Sequence, residues 1–390
     1  MDVQVEVIGA GIGGVAAAIA LARRGARVRV LERAEALGEV GAGLQISANG
    51  MAVLRALGVV TGVPDGAVRS GGTEIRDFAT GREVMRMPPP AAGPTWYFHR
   101  ADLLAALVAR ARALGVGFDL GRAVCAYGGD EAGCHLTLSD GSQRQSALVV
   151  AADGGQSAAR QLVDGPRQAR FSRQVAWRAV VPGGQAGQTH AVLTMGPGRH
   201  VVSYPLRGGA LMNIVAVEER DDWTAEGWRQ EGDPVQLRAR FAEFGGAVGE
   251  LLQQIEAAHL WALYLHPVAR TWCRGGLALL GDAAHPTLPF MAQGACLALE
   301  DAWVLADCLA ADGAEGLRRY QQIRRPRAQA VVAAAAANAR RFHLRGPLRW
   351  GAQAALRLAG ARLAPDYAWI YGHDVTAYGG DCQAERAARA

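Results

Sequence analysis

The chain contains no lysine: all 41 of its basic residues are arginines, set against 36 carboxylates for a formal charge of +5. These arginines are interspersed with acidic residues. The densest group, Arg318, Arg319, Arg324, Arg325 and Arg327, falls in a predicted helix. That pattern reads as a solvated helical face and argues against a nucleic-acid surface. Cysteine is scarce, with six residues at 125, 134, 273, 296, 308 and 382 and no C-x-x-C pair. A disulfide framework is thereby excluded, no His or Cys pair shows metal-ligand spacing, and reduced thiols in a cytoplasmic protein are expected. Long apolar runs are missing too. Residues 8–22 come nearest, but Asp2 and Glu6 precede them and four glycines interrupt them, so neither a secretory signal nor a membrane span is expected.

What is present is an ordinary globular composition: half of the 390 residues are apolar, a fifth are charged and 50 are glycine. At about 100 to 200 residues per domain, two or three domains are expected, enough to enclose a cofactor.

Residues 3–8 form a β-branched run, 9–14 a glycine-rich turn, 15–24 an alanine-rich helical stretch stopped by Gly25, and 27–31 a second strand. This is a β-α-β unit and implies a parallel sheet. Leu103, Leu104, Leu107 and Val108 recur at helical spacing in a helix from Arg100 to before Gly115. From about 171 to 265 the pattern alternates with period two, as in 175–181, 200–206 and 211–217, which implies half-buried antiparallel strands. The α/β signature returns at 277–280 and leads into a long helix over about 295–309.

The expected fold is therefore α/β: a Rossmann-like parallel-sheet domain made of residues 1–68, 95–170 and 266–330, split by a β-rich domain of residues 69–94 and 171–265, with a C-terminal helical segment over 331–390. The C-terminal helices either cover the β-rich domain or form a dimer contact, which leaves both a monomer and a homodimer open.

Gly9-Ala10-Gly11-Ile12-Gly13-Gly14 matches G-x-G-x-x-G between strand and helix, and Glu32-Arg33 lies at the end of the second strand, Glu32 being 18 residues beyond Gly14. Gly9, Gly11 and Gly14 let backbone approach a pyrophosphate, the helix N-terminus supplies positive dipole, and Glu32 accepts from a ribose hydroxyl. Whether the adenine belongs to FAD or to a nicotinamide cofactor is open from this motif alone.

Gly281-Asp282-Ala283-Ala284-His285-Pro286 follows an apolar strand and passes through Pro289-Phe290-Met291-Ala292-Gln293-Gly294 into a helix bearing Glu300-Asp301. Asp153-Gly154-Gly155-Gln156-Ser157-Ala158-Ala159-Arg160 gives D-G-x-x-S-x-x-R, and His99-Arg100-Ala101-Asp102-Leu103 precedes a helix. Together with the loop of residues 39–49, these motifs resemble the class A flavoprotein monooxygenases of the para-hydroxybenzoate hydroxylase fold. The resemblance implies FAD, with Asp282 on the ribitol, Arg100 at the diphosphate, Asp153 and Arg160 contacting cofactor, and Pro289, Gln293 and Gly294 along the flavin ring. A plainer reading of Asp153 and Ser157 is a capped helix start. His285 most simply packs beneath the flavin-binding turn.

Trp177-Arg178, the run from Gly198-Arg199-His200 through Tyr204 to Gly209, and Trp369-Ile370-Tyr371-Gly372-His373-Asp374 resemble the salicylate and 3-hydroxybenzoate hydroxylase branch. The implied reaction is hydroxylation of a small aromatic acid by O2 through a flavin C4a-hydroperoxide, with NADH or NADPH as co-substrate. His200 and Tyr204, four apart in a strand, point to one face. His200 is the expected base toward the phenol and Tyr204 the residue that orients it, while a cross-strand polar pair on an exposed face is the bland alternative. Arg178, Arg207 and Arg82 are candidate anchors for the substrate carboxylate. Two other readings stay open: an FAD-dependent epoxidase or reductase of a larger apolar molecule, and a flavin-binding protein without turnover.

Overall fold

The structure, a computed structural model, describes residues 1, 3–38, 42–130, 133–166, 169–183, 187–221, 230–360 and 366–377. Cys382 lies outside them, and the five described cysteines are free.

Gln4–Ile8 lies at the centre of a six-stranded sheet, between Arg27–Leu31 and Leu148–Ala151. Gly117–Asp119 extends one side and Leu277–Leu279 the other, all pairing in parallel; only the edge strand Cys273–Arg274 is antiparallel. Val5, Val7, Val149, Val150 and Ala278 are inaccessible to solvent, as expected for strands covered on both faces. The alanine-rich helix Ile12–Ala22 packs against the later helix Gly294–Asp312. Small residues set that approach: a Cβ on Gly13 would lie 2.9 Å from the Cβ of Ala298.

Eight strands form the second sheet, in the order Gln230–Gly232, Ala258–Leu265, Arg170–Pro182, Leu211–Glu219, Arg199–Leu206, Ala191–Gly196, Thr73–Asp77 and Glu83–Met87. Pairing is antiparallel except between Ala191–Gly196 and Thr73–Asp77. Strict alternation gives this sheet two unlike faces. Trp177, Val201, Ile214 and Ala216 pack with Leu237, Phe241, Phe244 and Leu252 into an apolar core. Arg178, His200, Val202, Tyr204, Val215 and Val217 line a cavity. Gly43–Ile46, Trp96–His99 and Val68–Arg69 form a small sheet whose Tyr97 stacks on Tyr204, with ring centroids 5.0 Å apart.

The arginine cluster of the helix Gly316–Arg341 corrects the expectation of a solvated face. Arg318 is exposed, but Arg324 is fully buried and Arg327 nearly so. The reason is the neighbouring helix Gly294–Asp312, which buries Glu300 and Asp301 and so requires counter-ions. Arg324 meets Glu300 at 2.7 Å and Asp301 at 2.8 Å, and Arg327 meets Glu300 at 2.6 Å. Burial alone would raise both carboxyls. Arg324 and Arg327 instead hold Glu300 below its ordinary range, and His285 and Arg324 do the same for Asp301.

Replacing Arg324→Met leaves two buried carboxylates short of a partner, and the stability measured by urea denaturation at pH 7 should fall by about 3–5 kcal/mol. The ion pairs contribute fully above the carboxyls' unfolded-state values and are lost as pH falls through the lower folded ones. The gap between wild type and variant should therefore narrow in acid. A gap independent of pH would show that Arg324 acts by packing alone.

Candidate active site

The glycine-rich turn is built by close backbone contact. Gly9 takes a positive φ of 101°, and a Cβ there would stand 2.5 Å from the carbonyl oxygen of Ala152. A Cβ on Gly14 would stand 2.0 Å from the carbonyl oxygen of Gly9. Gly11 differs: it caps the helix Ile12–Ala22 with extended backbone, and nothing lies within 4 Å of a Cβ there. That open space adjoins the positive end of a helix, where an anion is favoured. Glu32 accepts from the backbone N–H of Ala10 at 2.7 Å and of Ala34 at 2.9 Å, which fixes its carboxylate at the rim beside Arg33.

Across the cavity, Arg100 begins the helix Arg100–Ala113 and its charge faces Asp282. Burial raises the Asp282 carboxyl, opposed by His285 and Arg100, and lowers the Arg100 guanidinium. His285 is fully buried beneath this turn, 2.5 Å from Asp301 and 5.2 Å from the ring of Trp272, so it braces the turn from below. Asp153 lines the cavity and accepts from the Tyr127 hydroxyl at 3.1 Å. Ser157 accepts from the backbone N–H of Arg160 at 3.1 Å and caps the helix Ala158–Asp164. Arg160 itself lies off the cavity: its guanidinium donates to the carbonyl of Pro267 at 2.6 Å, because the capped helix turns it toward that loop.

Pro289–Met291 makes a short 3-10 turn, and Ala292 follows in the left-handed region at φ 52° before Gly294 opens the long helix. All of 289–294 lines the cavity. The Gln293 amide is engaged behind that wall: it accepts from Asn49 at 2.9 Å and donates to Ser47 at 2.9 Å, while Asn49 also donates to Glu300 at 2.6 Å. Gln293 thus positions the loop through Ser47 and Asn49, the end of the 39–49 segment. Of the loop 39–49, residues 39–41 lie outside the described part of the chain.

These elements bound one continuous cavity of about 1350 Å³, reaching from Gly9 and Glu32 to the face of the eight-stranded sheet. Single-ligand pockets run to about 300–1,000 Å³, so this one has room for more than one molecule. His200 and Tyr204 reach it from the strand Arg199–Leu206, as their spacing predicts. They are buried, with 1% and 4% exposure, so the exposed-pair alternative is excluded. Burial, then the neighbouring His343, pushes the His200 imidazole well below 6.5 and keeps it neutral. Among the three candidate anchors, only Arg178 lines the cavity. Its guanidinium lies 4.2 Å from the ring of Trp261, and burial lowers it to about 10, still charged at neutral pH. Arg207 is half exposed and donates twice to Asp102, at 2.8 and 2.9 Å, while Arg82 is exposed. Both are removed from that role by facing solvent.

The late motif is tied in by Arg327, which donates to the carbonyls of Trp369 and Ile370 at 3.1 and 2.9 Å and so brings Tyr371 to the cavity wall. Phe290, Phe342 and His343 surround His200. No motif flags Phe342 or His343, since they meet His200 only through the tertiary fold.

Residues 2–335 match the FAD binding domain family. The chain is 34% identical to a 3-amino-4-hydroxybenzoate 2-monooxygenase of Streptomyces platensis, over 96% of this chain and 97% of that one. It is 31% identical to a 3-hydroxybenzoate 6-hydroxylase of Polaromonas naphthalenivorans, over 98% of each. A salicylate hydroxylase solved with substrate superposes with a TM-score of 0.81 at 26% identity over 98% of each chain. Klebsiella pneumoniae HpxO with FAD and uric acid gives 0.82 at 25%, over 98% of this chain and 97% of that one. The chain belongs to the FAD-binding family of class A flavoprotein monooxygenases.

The residues present fit FAD. Gly11 leaves open space at a helix N-terminus, where a pyrophosphate is favoured, and Glu32, Arg100 and Asp282 line the same cavity. Gly11→Asp separates cofactor binding from folding. Aspartate is a favourable helix cap and stabilises a helix N-terminus, so thermal stability without FAD should hold or rise. Its charge fills the pyrophosphate space, and FAD affinity by fluorescence titration should drop more than about 100-fold, equivalent to about 2.7 kcal/mol. Unchanged FAD affinity would move the pyrophosphate away from Gly11.

Proposed function

We propose that the protein hydroxylates a small phenolic acid, with NADH or NADPH reducing FAD and O2 supplying the oxygen. The observation that carries this reading is a histidine, His200, buried on the wall of the cavity that also contains the FAD cradle. Bound FAD supplies the redox and oxygen-transfer chemistry. The protein itself must exclude water, hold the ring and make it electron-rich.

A free phenol ionises near about 10, so a base is needed at neutral pH. His200 keeps its lone pair because burial disfavours protonation, and His343 engages Nδ1, leaving Nε2 as the nitrogen for the phenol. Tyr204 is unsuited to act as that base, because burial raises its phenol further and its ring is fixed against Tyr97. It orients the substrate. Arg178 places a permanent cation on the same wall, matching the carboxylate of an aromatic acid. The relatives' substrates, hydroxybenzoates and salicylate, combine these two groups on one ring.

Anaerobic reduction of the flavin by NADH and by NADPH, with and without salicylate, 3-hydroxybenzoate and 3-amino-4-hydroxybenzoate, tests the substrate class. One acid should accelerate reduction and yield a hydroxylated product. Indifference to every acid would turn the reading toward a larger apolar substrate. His200→Gln should lower kcat by about 100-fold or more. Arg178→Met should chiefly raise KM for the acid. The acid limb of kcat/KM should lie below the ordinary histidine range, because the depressed His200 stays neutral until pH falls well under 6.5.

A further inference from the structure

His200 does not end at the cavity wall. Its Nδ1 lies 2.7 Å from Nε2 of His343, and Nδ1 of His343 lies 3.2 Å from Oε1 of Glu219. His343 is 5% exposed, whereas the Glu219 side chain is 36% exposed and pairs with Arg345, itself largely in solvent. The three side chains come from the strand Arg199–Leu206, the segment after the helix Gly316–Arg341, and the end of the strand Leu211–Glu219. They form an unbroken path from cavity to surface through an otherwise apolar wall of Phe290 and Phe342.

We propose that His343 and Glu219 relay to solvent the proton that His200 takes from the substrate. This rests on the assignment of His200 as the base. In the ready state Nδ1–H of His200 donates to Nε2 of His343, and Nδ1–H of His343 donates to Glu219. The phenol O–H bond breaks as Nε2–H forms on His200. Nδ1 of His200 passes its proton to Nε2 of His343, and Nδ1 of His343 passes its own to Glu219, which releases it to water. One proton leaves, each imidazole ends neutral in its other tautomer, and no electron moves.

A fourth residue supplies a partner for the second tautomer. Nε2 of Gln174 lies 3.0 Å from Nδ1 of His343, on a strand running past it. Once that nitrogen has given up its proton it can accept from the Gln174 amide. Glu219 thus favours the ready tautomer and the Gln174 amide the discharged one. The titratable and charged groups facing His343 are Glu219, Arg345 and His200, and Gln174 is a neutral neighbour. Burial keeps both imidazoles below 6.5, so neither carries a resting charge at neutral pH and each keeps one nitrogen lone pair.

His343 and Glu219 touch no substrate; they act through His200, and the test reads proton movement. FAD-loaded enzyme is mixed in a stopped-flow instrument with a phenolic acid that accelerates flavin reduction. Appearance of bound phenolate is followed by absorbance, beside release of protons to an indicator dye. His343→Gln keeps a hydrogen-bonding side chain but cannot pass a proton. It should retain FAD content and substrate affinity, slow both signals by about tenfold or more, and flatten their pH dependence. His343→Ala should be rescued by added imidazole. Glu219→Gln, at the surface and therefore safe for folding, should slow proton release severalfold. Wild-type rates and pH dependence in His343→Gln and Glu219→Gln, with His200→Gln impaired, would overturn the relay and leave His200 as a base served by cavity water. Normal phenolate formation in His200→Gln would remove the base assignment and the relay together.

Discussion

The paired carboxylates at the start of the long helix are the constraint on which the site depends. Glu300 and Asp301 are both fully buried, and two adjacent buried anions are tolerable only if cations and donors reach them from several directions. Each group that does so carries a piece of the site. His285 and the backbone N–H of Gly281 reach Asp301 and fix the turn that holds Asp282. Asn49 reaches Glu300 and Gln293 together, fixing the loop from Pro289 to Gly294. Arg327 connects Glu300 to the carbonyls of Trp369 and Ile370, bringing Tyr371 to the cavity. Elements far apart in the chain, such as Asn49 and Glu300 at a separation of 251 residues, are thus referred to one pair of charges. The cost of leaving either charge unmatched keeps that arrangement unique.

The cavity combines two kinds of wall. At the cofactor end the chemistry is carried mainly by backbone: a positive-φ glycine, a helix N-terminus and N–H groups that orient Glu32. At the other end it is carried by side chains standing on a sheet face, whose register fixes their spacing. His200 pairs across to Val217 and Tyr204 to Asn213, so both project on the side opposite the Trp177 core. A backbone-built site tolerates little change in sequence, because a Cβ in the wrong place meets a carbonyl oxygen. A sheet face allows its side chains to change without moving the strands, which is how one scaffold admits different ring substrates.

This difference decides how much the sequence discloses. The β-α-β unit, the alternating strands, the glycine turn, Glu32, Asp282 and the His200–Tyr204 spacing are local patterns, set by steric rules acting over a few residues. Arg160 escapes such a reading because a motif fixes the start of its helix but leaves the direction of its guanidinium to a loop 107 residues away. The arginines after 317 escape it for a related reason: their charge looks solvated until the helix is placed against Glu300 and Asp301. His343 has no local signature at all. It follows an alanine-rich helix, and its meaning arises only where that helix ends beside a strand 143 residues earlier.

The absence of lysine takes on physical content at Arg178. A buried cation on the cavity wall must remain charged after losing its water, and desolvation lowers the guanidinium to about 10. An ammonium begins near about 10.4, lower than arginine, and an equal penalty would bring it close to neutrality at working pH. The planar guanidinium also stacks on Trp261, which replaces part of the lost hydration with the negative face of an indole ring. The same reasoning applies to Arg324, fully buried between two carboxylates, and to Arg100 facing Asp282. Histidine supplies the opposite property: burial keeps His200 and His343 neutral, while the arginines around the cavity hold fixed charge. Burial thus has opposite consequences for the two residue types: it leaves arginine charged and histidine neutral on the same cavity wall.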